Sequence, residues 1–142
     1  MQEHFERLER MHIKSPINNL LNSKIKIKQG ETKLNFKTNK DMNNALNKIH
    51  NAYKFMALEV AAFFAANSLI EDVLVSTKSF EILFSKPTTS NELIAFAKFS
   101  EKSMGNYIIS IDLYDTKKNL VAKAKGVFRR SKNILKDIKN YQ

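Results

Sequence analysis

Apolar side chains recur along this chain with two periods, and the changes of period mark out its elements. The opening stretch, Gln2 to about Leu21, carries Phe5, Leu8, Met11 and Ile13 and, beyond Pro16, Ile17, Leu20 and Leu21. Spacings mostly of three to four residues predict one or two short amphipathic helices over residues 1–22. From Lys24 the period falls to two. Lys24-Ile-Lys-Ile-Lys28 alternates strictly, Gly30 follows, and Lys33-Leu-Asn-Phe-Lys37 alternates again. Residues 24–38 are therefore expected to form one long kinked strand bent at Gly30, with lysines to water and aliphatics to the core. Thr38–Lys48, with four asparagines, reads as a loop.

The period then returns to that of a helix, from about Asn51 to Ser68. Between Phe55 and Ile70 the single formal charge is Glu59, whose neighbours at helical spacing are Phe55, Met56, Ala62 and Phe63. Four strand-like runs follow, Val73 to Ser85, Leu93 to Ser103, Tyr107 to Tyr114 and Leu120 to Arg130. They are separated by turn signals at Lys86-Pro87, Met104-Gly105-Asn106 and Asp115 to Asn119. The segment after Ser131 reads as a short helix. A helix apolar on nearly all sides must be enclosed, so the expected fold is α+β, a long central helix wrapped by a curved antiparallel sheet of about five strands. The divisions are an N-terminal helical segment (1–22), the main domain (23–131) and a basic C-terminal tail (132–142).

Composition narrows the chemistry. With 142 residues, 43% of them hydrophobic and ten Phe, one domain with a modest core is expected. The absence of cysteine excludes disulfides, thiol catalysis and thiolate metal sites, and His4, His12 and His50 have no ligand spacing, so no metal site is expected. Residues 1–10 mix acids and bases without an apolar segment, unlike a signal peptide. The apolar run of α-helical pattern is too short, and too interrupted by Glu59 and Asn67, to span a bilayer core of about 30 Å. A cytoplasmic protein without a membrane span is the expectation. The net charge of +10 is uneven: +6 over residues 1–54, −3 over 55–114 and +7 over 115–142. Such ends favour a phosphorylated ligand or another polyanion; the alternative is a solubilising lysine-rich surface.

The order of elements, with an Asn-rich loop and a histidine before a central apolar helix, resembles the hotdog fold of acyl-CoA thioesterases, especially the phenylacetate-pathway type, over residues 24 to 131. That family introduces its helix with a pattern like Asn-x-x-Gly-x-x-His-Gly-Gly and places an Asp or Glu nine positions after the His. Here the segment reads Asn44-Ala-Leu-Asn47-Lys-Ile-His50-Asn51-Ala52, and the ninth residue after His50 is Glu59. Asn47, Asn51 and Ala52 stand where the family has glycine. Phe80 to Pro87 followed by Asn91-Glu92-Leu93-Ile94, and Leu113-Tyr-Asp115 through Gly126 to Ser131, are similar to the family's later strands.

The resemblance implies thioester hydrolysis at a homodimer or higher homo-oligomer interface, with acyl-CoA as the partner, coenzyme A present only as part of substrate or ligand, and nucleic acid not expected. Glu59, desolvated by Phe and Ala neighbours, is the candidate general base or nucleophile, and His50 and Asn44 are candidates to position water or substrate. The backbone N–H groups of Asn51 and Ala52, at the helix N-terminus, are candidate oxyanion donors. Phe55, Met56 and Phe63 are candidates for the acyl pocket. Lys86, Arg129, Arg130 and Lys132 are candidates for the phosphates of coenzyme A. The alternative is an acyl-CoA-binding or sensing protein of the same fold without catalysis.

Overall fold

The computed structural model describes residues 1–142. Its elements run α1 (Gln2–Lys14), α2 (Asn18–Leu21), β1 (Lys24–Lys28), β2 (Glu31–Lys37), α3 (Asn51–Asn67), β3 (Val73–Phe84), β4 (Glu92–Ser103), β5 (Asn106–Tyr114) and β6 (Leu120–Ile134). All strands form one antiparallel sheet in the order β1-β2-β4-β5-β6-β3, curved around α3. The helix presents Ala57, Leu58, Ala61, Ala62, Ala65 and Ala66 to the sheet, all fully buried. Five alanines on that face let the helix axis approach the sheet closely. The contact is tight enough for the Thr32 hydroxyl on β2 to donate to the Ala61 carbonyl at 2.6 Å.

One expectation is corrected. Residues 24–37 are a hairpin rather than one kinked strand, with Lys28 opposite Glu31 and Lys24 opposite Asn35, so the sheet has six strands instead of five. Gly30 takes φ +73°, the left-handed conformation that reverses the chain there. Its N–H donates to the Ser68 hydroxyl at 2.7 Å, fastening the turn to the end of α3. The last strand also runs beyond Arg130 to Ile134, and a helix after Ser131 is replaced by two short 3-10 turns, Leu135–Asp137 and Lys139–Tyr141.

α1 covers the side of α3 that the sheet leaves open. Phe5, Leu8 and Met11 pack with Phe64, Ile27, Leu135 and Tyr141 in a second apolar cluster. His4 ties three parts of the chain together, since its Nδ1 accepts from the Tyr141 hydroxyl (2.6 Å) and its Nε2–H donates to the Asn67 carbonyl (2.9 Å). Asn67 itself holds the turn from α3 into β3, donating to the carbonyls of Ile70 and Val73 and accepting from the Val75 N–H. The Glu9 carboxylate of α1 accepts the Ile27 N–H at 2.9 Å and so occupies a backbone donor on the outer edge of β1.

Gly126, in the middle of β6, tests the packing. A Cβ there would lie 2.7 Å from the buried Phe128 ring and 2.8 Å from Phe80. Gly126→Ala is expected to destabilise the fold by about 1–3 kcal/mol through overpacking, read as a drop of several degrees in the thermal midpoint.

Candidate functional site

α3 begins at His50, whose extended backbone (φ −64°, ψ 141°) makes it the N-cap. Its Nδ1 accepts the Ala52 N–H at 2.9 Å. That bond requires the neutral ring with its proton on Nε2, so the imidazole serves as the cap that Ser or Asp usually provides. The Ala52 N–H, a candidate oxyanion donor, therefore already has a partner within the protein. The N–H of Asn51 has none within the protein and remains available in the first turn, where the helix dipole favours negative charge. Asn44 is also committed: its side-chain oxygen accepts the N–H groups of Leu46 (2.9 Å) and Lys48 (3.2 Å), closing the loop that leads to the helix. Asn47 adopts φ 59°, the left-handed conformation a glycine would supply at that position.

Glu59 lies nine residues further on, about 13 Å along the axis at the α-helical rise. One protomer therefore does not bring His50 and Glu59 together. Glu59 is half-buried, and one carboxylate oxygen accepts from the Thr77 hydroxyl of β3 at 2.9 Å. No cation lies within ion-pair distance, since the two salt bridges of the structure are Arg7–Glu3 and Arg130–Asp72. Burial pushes the Glu59 carboxyl above the ordinary glutamate range, and the Thr77 hydrogen bond opposes that rise. Thr77 precedes a bulge in β3, where the pairing with β6 skips a residue between Thr77 and Ser79. A threonine within a strand run gives no warning of this role; the partner depends on the register of β3 against the helix.

Beside Glu59 is a cavity of about 260 Å³ between α3 and the α1–α2 corner. Met56, Glu59 and Phe63 line it from α3, and Met11, Ile17 and Leu21 from the corner. Two of the three acyl-pocket candidates, Met56 and Phe63, thus share a cavity with the carboxylate. Phe55 does not; it is 44% exposed and packs edge-to-face on Phe80.

The basic candidates fall into two groups. Lys86 follows the end of β3 opposite Val121, whereas Arg129, Arg130 and Lys132 lie eight or more residues along β6, about 26 Å away at strand rise. Arg130 is paired bidentately with Asp72 at 2.5 and 2.9 Å, and Arg129 donates to the Met104 carbonyl at 3.1 Å. Lys86 and Lys132 are exposed and outside any ion pair. Sequence reasoning passed over Lys54, which is 2% exposed under the Phe84 ring, with one long bond (3.4 Å) to the Lys86 carbonyl. Desolvation lowers its pKa.

No family model and no curated protein matches the chain in sequence. Solved structures match it in fold. The chain superposes on the Escherichia coli PaaI protein from the phenylacetic acid degradation operon with a TM-score of 0.85 at 17% identity, covering 94% of this chain and 96% of that one. For a thioesterase family protein from Silicibacter pomeroyi the values are 0.78 and 16%, covering 88% and 99%. For a phenylacetic acid degradation-related protein from Ralstonia eutropha they are 0.77 and 17%, covering 88% and 98%. The architecture is the hotdog fold.

The electrostatics of Glu59 make two outcomes measurable. Loss of the Thr77 donor removes what stabilises the charged form, so in Thr77→Val the Glu59 carboxyl is expected to titrate at higher pH than in the parent, followed by carbon NMR. The folded protein also holds this proton more tightly than the unfolded chain. Its contribution is favourable below the ordinary carboxylate pKa and is lost as pH rises through the raised value. Glu59→Gln is expected to abolish that decline and to be the more stable protein at neutral pH.

Proposed function

We propose that paired copies of this chain hydrolyse acyl-CoA thioesters with Glu59 as general base. The observation that carries this reading is a carboxylate with no cation, half-buried beside Phe63 and Met56 and opening on an apolar cavity, held by the Thr77 hydroxyl. A carboxylate whose proton affinity is raised by desolvation is a stronger base toward water. The likeness in fold to proteins named as thioesterases supports the same reading.

The reaction needs a second copy, because the remaining free donor, the Asn51 N–H, is about 12 Å from Glu59 along its own helix. β3 offers the means. It is a twelve-residue edge strand whose end carries the exposed Leu83 and Phe84, while the opposite edge of the sheet is occupied by Glu9 and lined by lysines. Antiparallel pairing of β3 with its copy reverses direction across the twofold axis, turning the start of α3 in one protomer toward the Glu59 end of the other. The same reversal brings Lys86 toward Arg129 and Lys132 of the partner subunit, joining two basic groups that one protomer keeps apart.

In that arrangement Glu59 takes a proton from water as its oxygen attacks the thioester carbonyl carbon. The Asn51 N–H and the positive end of α3 bear the developing oxyanion. The carbon–sulfur bond then breaks, the proton passes from Glu59 to the departing sulfur, and the products are a carboxylic acid, which ionises to solvent, and coenzyme A. Phosphates of the cofactor portion lie against Lys86 and Lys132.

A second reading is favoured by one observation: the Ala52 N–H is taken by His50, leaving a single main-chain donor for the oxyanion. A site so reduced suits a protein that binds acyl-CoA and does not cleave it. Release of free coenzyme A separates the two. With a catalytic Glu59, Glu59→Gln loses about 10²–10⁴-fold in kcat with no loss of thermal stability. Saturable acyl-CoA binding with no release by either protein establishes the binding function instead.

A further inference from the structure

We infer that the α1–α2 corner is the end wall of the acyl site, with Met11 and Ile17 limiting the length of an unsubstituted apolar acyl group. This rests on the thioester reading of the same site. A carbonyl carbon within reach of a water held by Glu59 directs its acyl substituent into the cavity that Glu59 borders, and the far side of that cavity is made by residues of the α1–α2 corner.

Three observations carry the assignment. The volume, about 260 Å³, exceeds the roughly 150 Å³ that suffices for benzene in an apolar cavity, so the site has room for an acyl group well beyond acetyl. The polar groups of the corner are turned into the corner itself. His12 Nε2 bonds the Ser23 hydroxyl at 2.8 Å, Ser23 donates from both N–H and hydroxyl to Asn18 at 3.1 and 2.9 Å, and the Ser15 hydroxyl donates to the Met11 carbonyl at 2.8 Å. With these satisfied, what the wall offers a ligand is the side chains of Met11, Ile17 and Leu21. Finally, Ile17 is 59% exposed although it lines the cavity, so its size can change without disturbing the core.

The His12 ring fixes the wall in place. It stands edge-on to Phe64 of α3, with centroids 5.6 Å apart, while its Nε2 holds the chain after α2 through Ser23. Pro16 bends the chain between the two helices, and the preceding Ser15 is extended (ψ 125°), as a residue before proline favours. The corner is thus a braced loop of short reach, able to act as a fixed stop for a chain growing out from Glu59.

The test uses the full chain with straight-chain acyl-CoAs from butanoyl to hexadecanoyl, and the matching non-hydrolysable thioether analogues for binding. In the parent protein kcat/KM and analogue affinity are expected to rise about fourfold per added methylene, then to fall once the chain meets the wall. Ile17→Trp is expected to move that break to shorter chains, reducing the first excluded length by about tenfold or more. Met11→Ala is expected to move it to longer ones, judged at matched folding by thermal midpoint. Ile13→Trp, an exposed change on the same corner away from the cavity, is expected to leave the break where it was. Turnover with one unchanged length profile in all variants would overturn the wall and leave hydrolysis standing. Absence of turnover, with the break in analogue affinity still following Ile17 and Met11, would overturn hydrolysis and leave the wall standing.

Discussion

The whole architecture answers one requirement, that α3, apolar around almost its entire circumference, be kept from water. Its alanine face can be covered by a sheet because small side chains allow close approach, and the curvature of six strands supplies that cover. Phe64, on another side, needs a separate cover, provided by α1 and the turns after β6. Each buried large apolar side chain contributes about 1.5–3 kcal/mol, so the N-terminal helix and the C-terminal turns belong to the folded unit. His4, bonded to both Tyr141 and the last turn of α3, ties that second layer down.

The third side of α3, along Phe55, Met56, Glu59 and Phe63, is incompletely covered, and it holds the features that bear on chemistry. Desolvation on one flank raises the proton affinity of Glu59, and the Thr77 hydroxyl on the other restrains that rise. The threonine that supplies this restraint stands beside a bulge in β3, so the environment of a helix residue is set in part by a strand distant in sequence. A similar economy acts at the start of the helix. His50 satisfies one of the helix's unpaired donors and in doing so withdraws it from any ligand.

Much of this was readable from residue order. α3 was expected to start at Asn51 and does, and the strand runs after it fall within a few residues of their observed limits, because long periodic segments bounded by Asn, Gly and Pro leave few choices. The hairpin at Gly30 was not, since alternation continues unbroken on both sides of a two-residue reversal and looks the same as a bent strand. At the site, the nine-residue spacing between His50 and Glu59 singled out a carboxylate that the structure places half-buried beside an apolar cavity. What it could not convey was which groups were already in use: Asn44 by its own loop, Ala52 by His50, Arg130 by Asp72. Thr77 and the burial of Lys54 depend on strand register and on packing between segments distant in sequence, which no local pattern encodes.

Glu9 has a bearing on more than α1. By taking up the Ile27 N–H it makes the two margins of the sheet unequal, one spoken for and one open. A sheet with two open margins adds copies without limit and becomes a ribbon. In the pairing proposed above, a copy that joins through β3 carries its Glu9-capped margin to the far end of the joined sheet. A single carboxylate on the N-terminal helix thus withdraws one β1 donor from strand pairing and makes the two margins of the sheet chemically distinct.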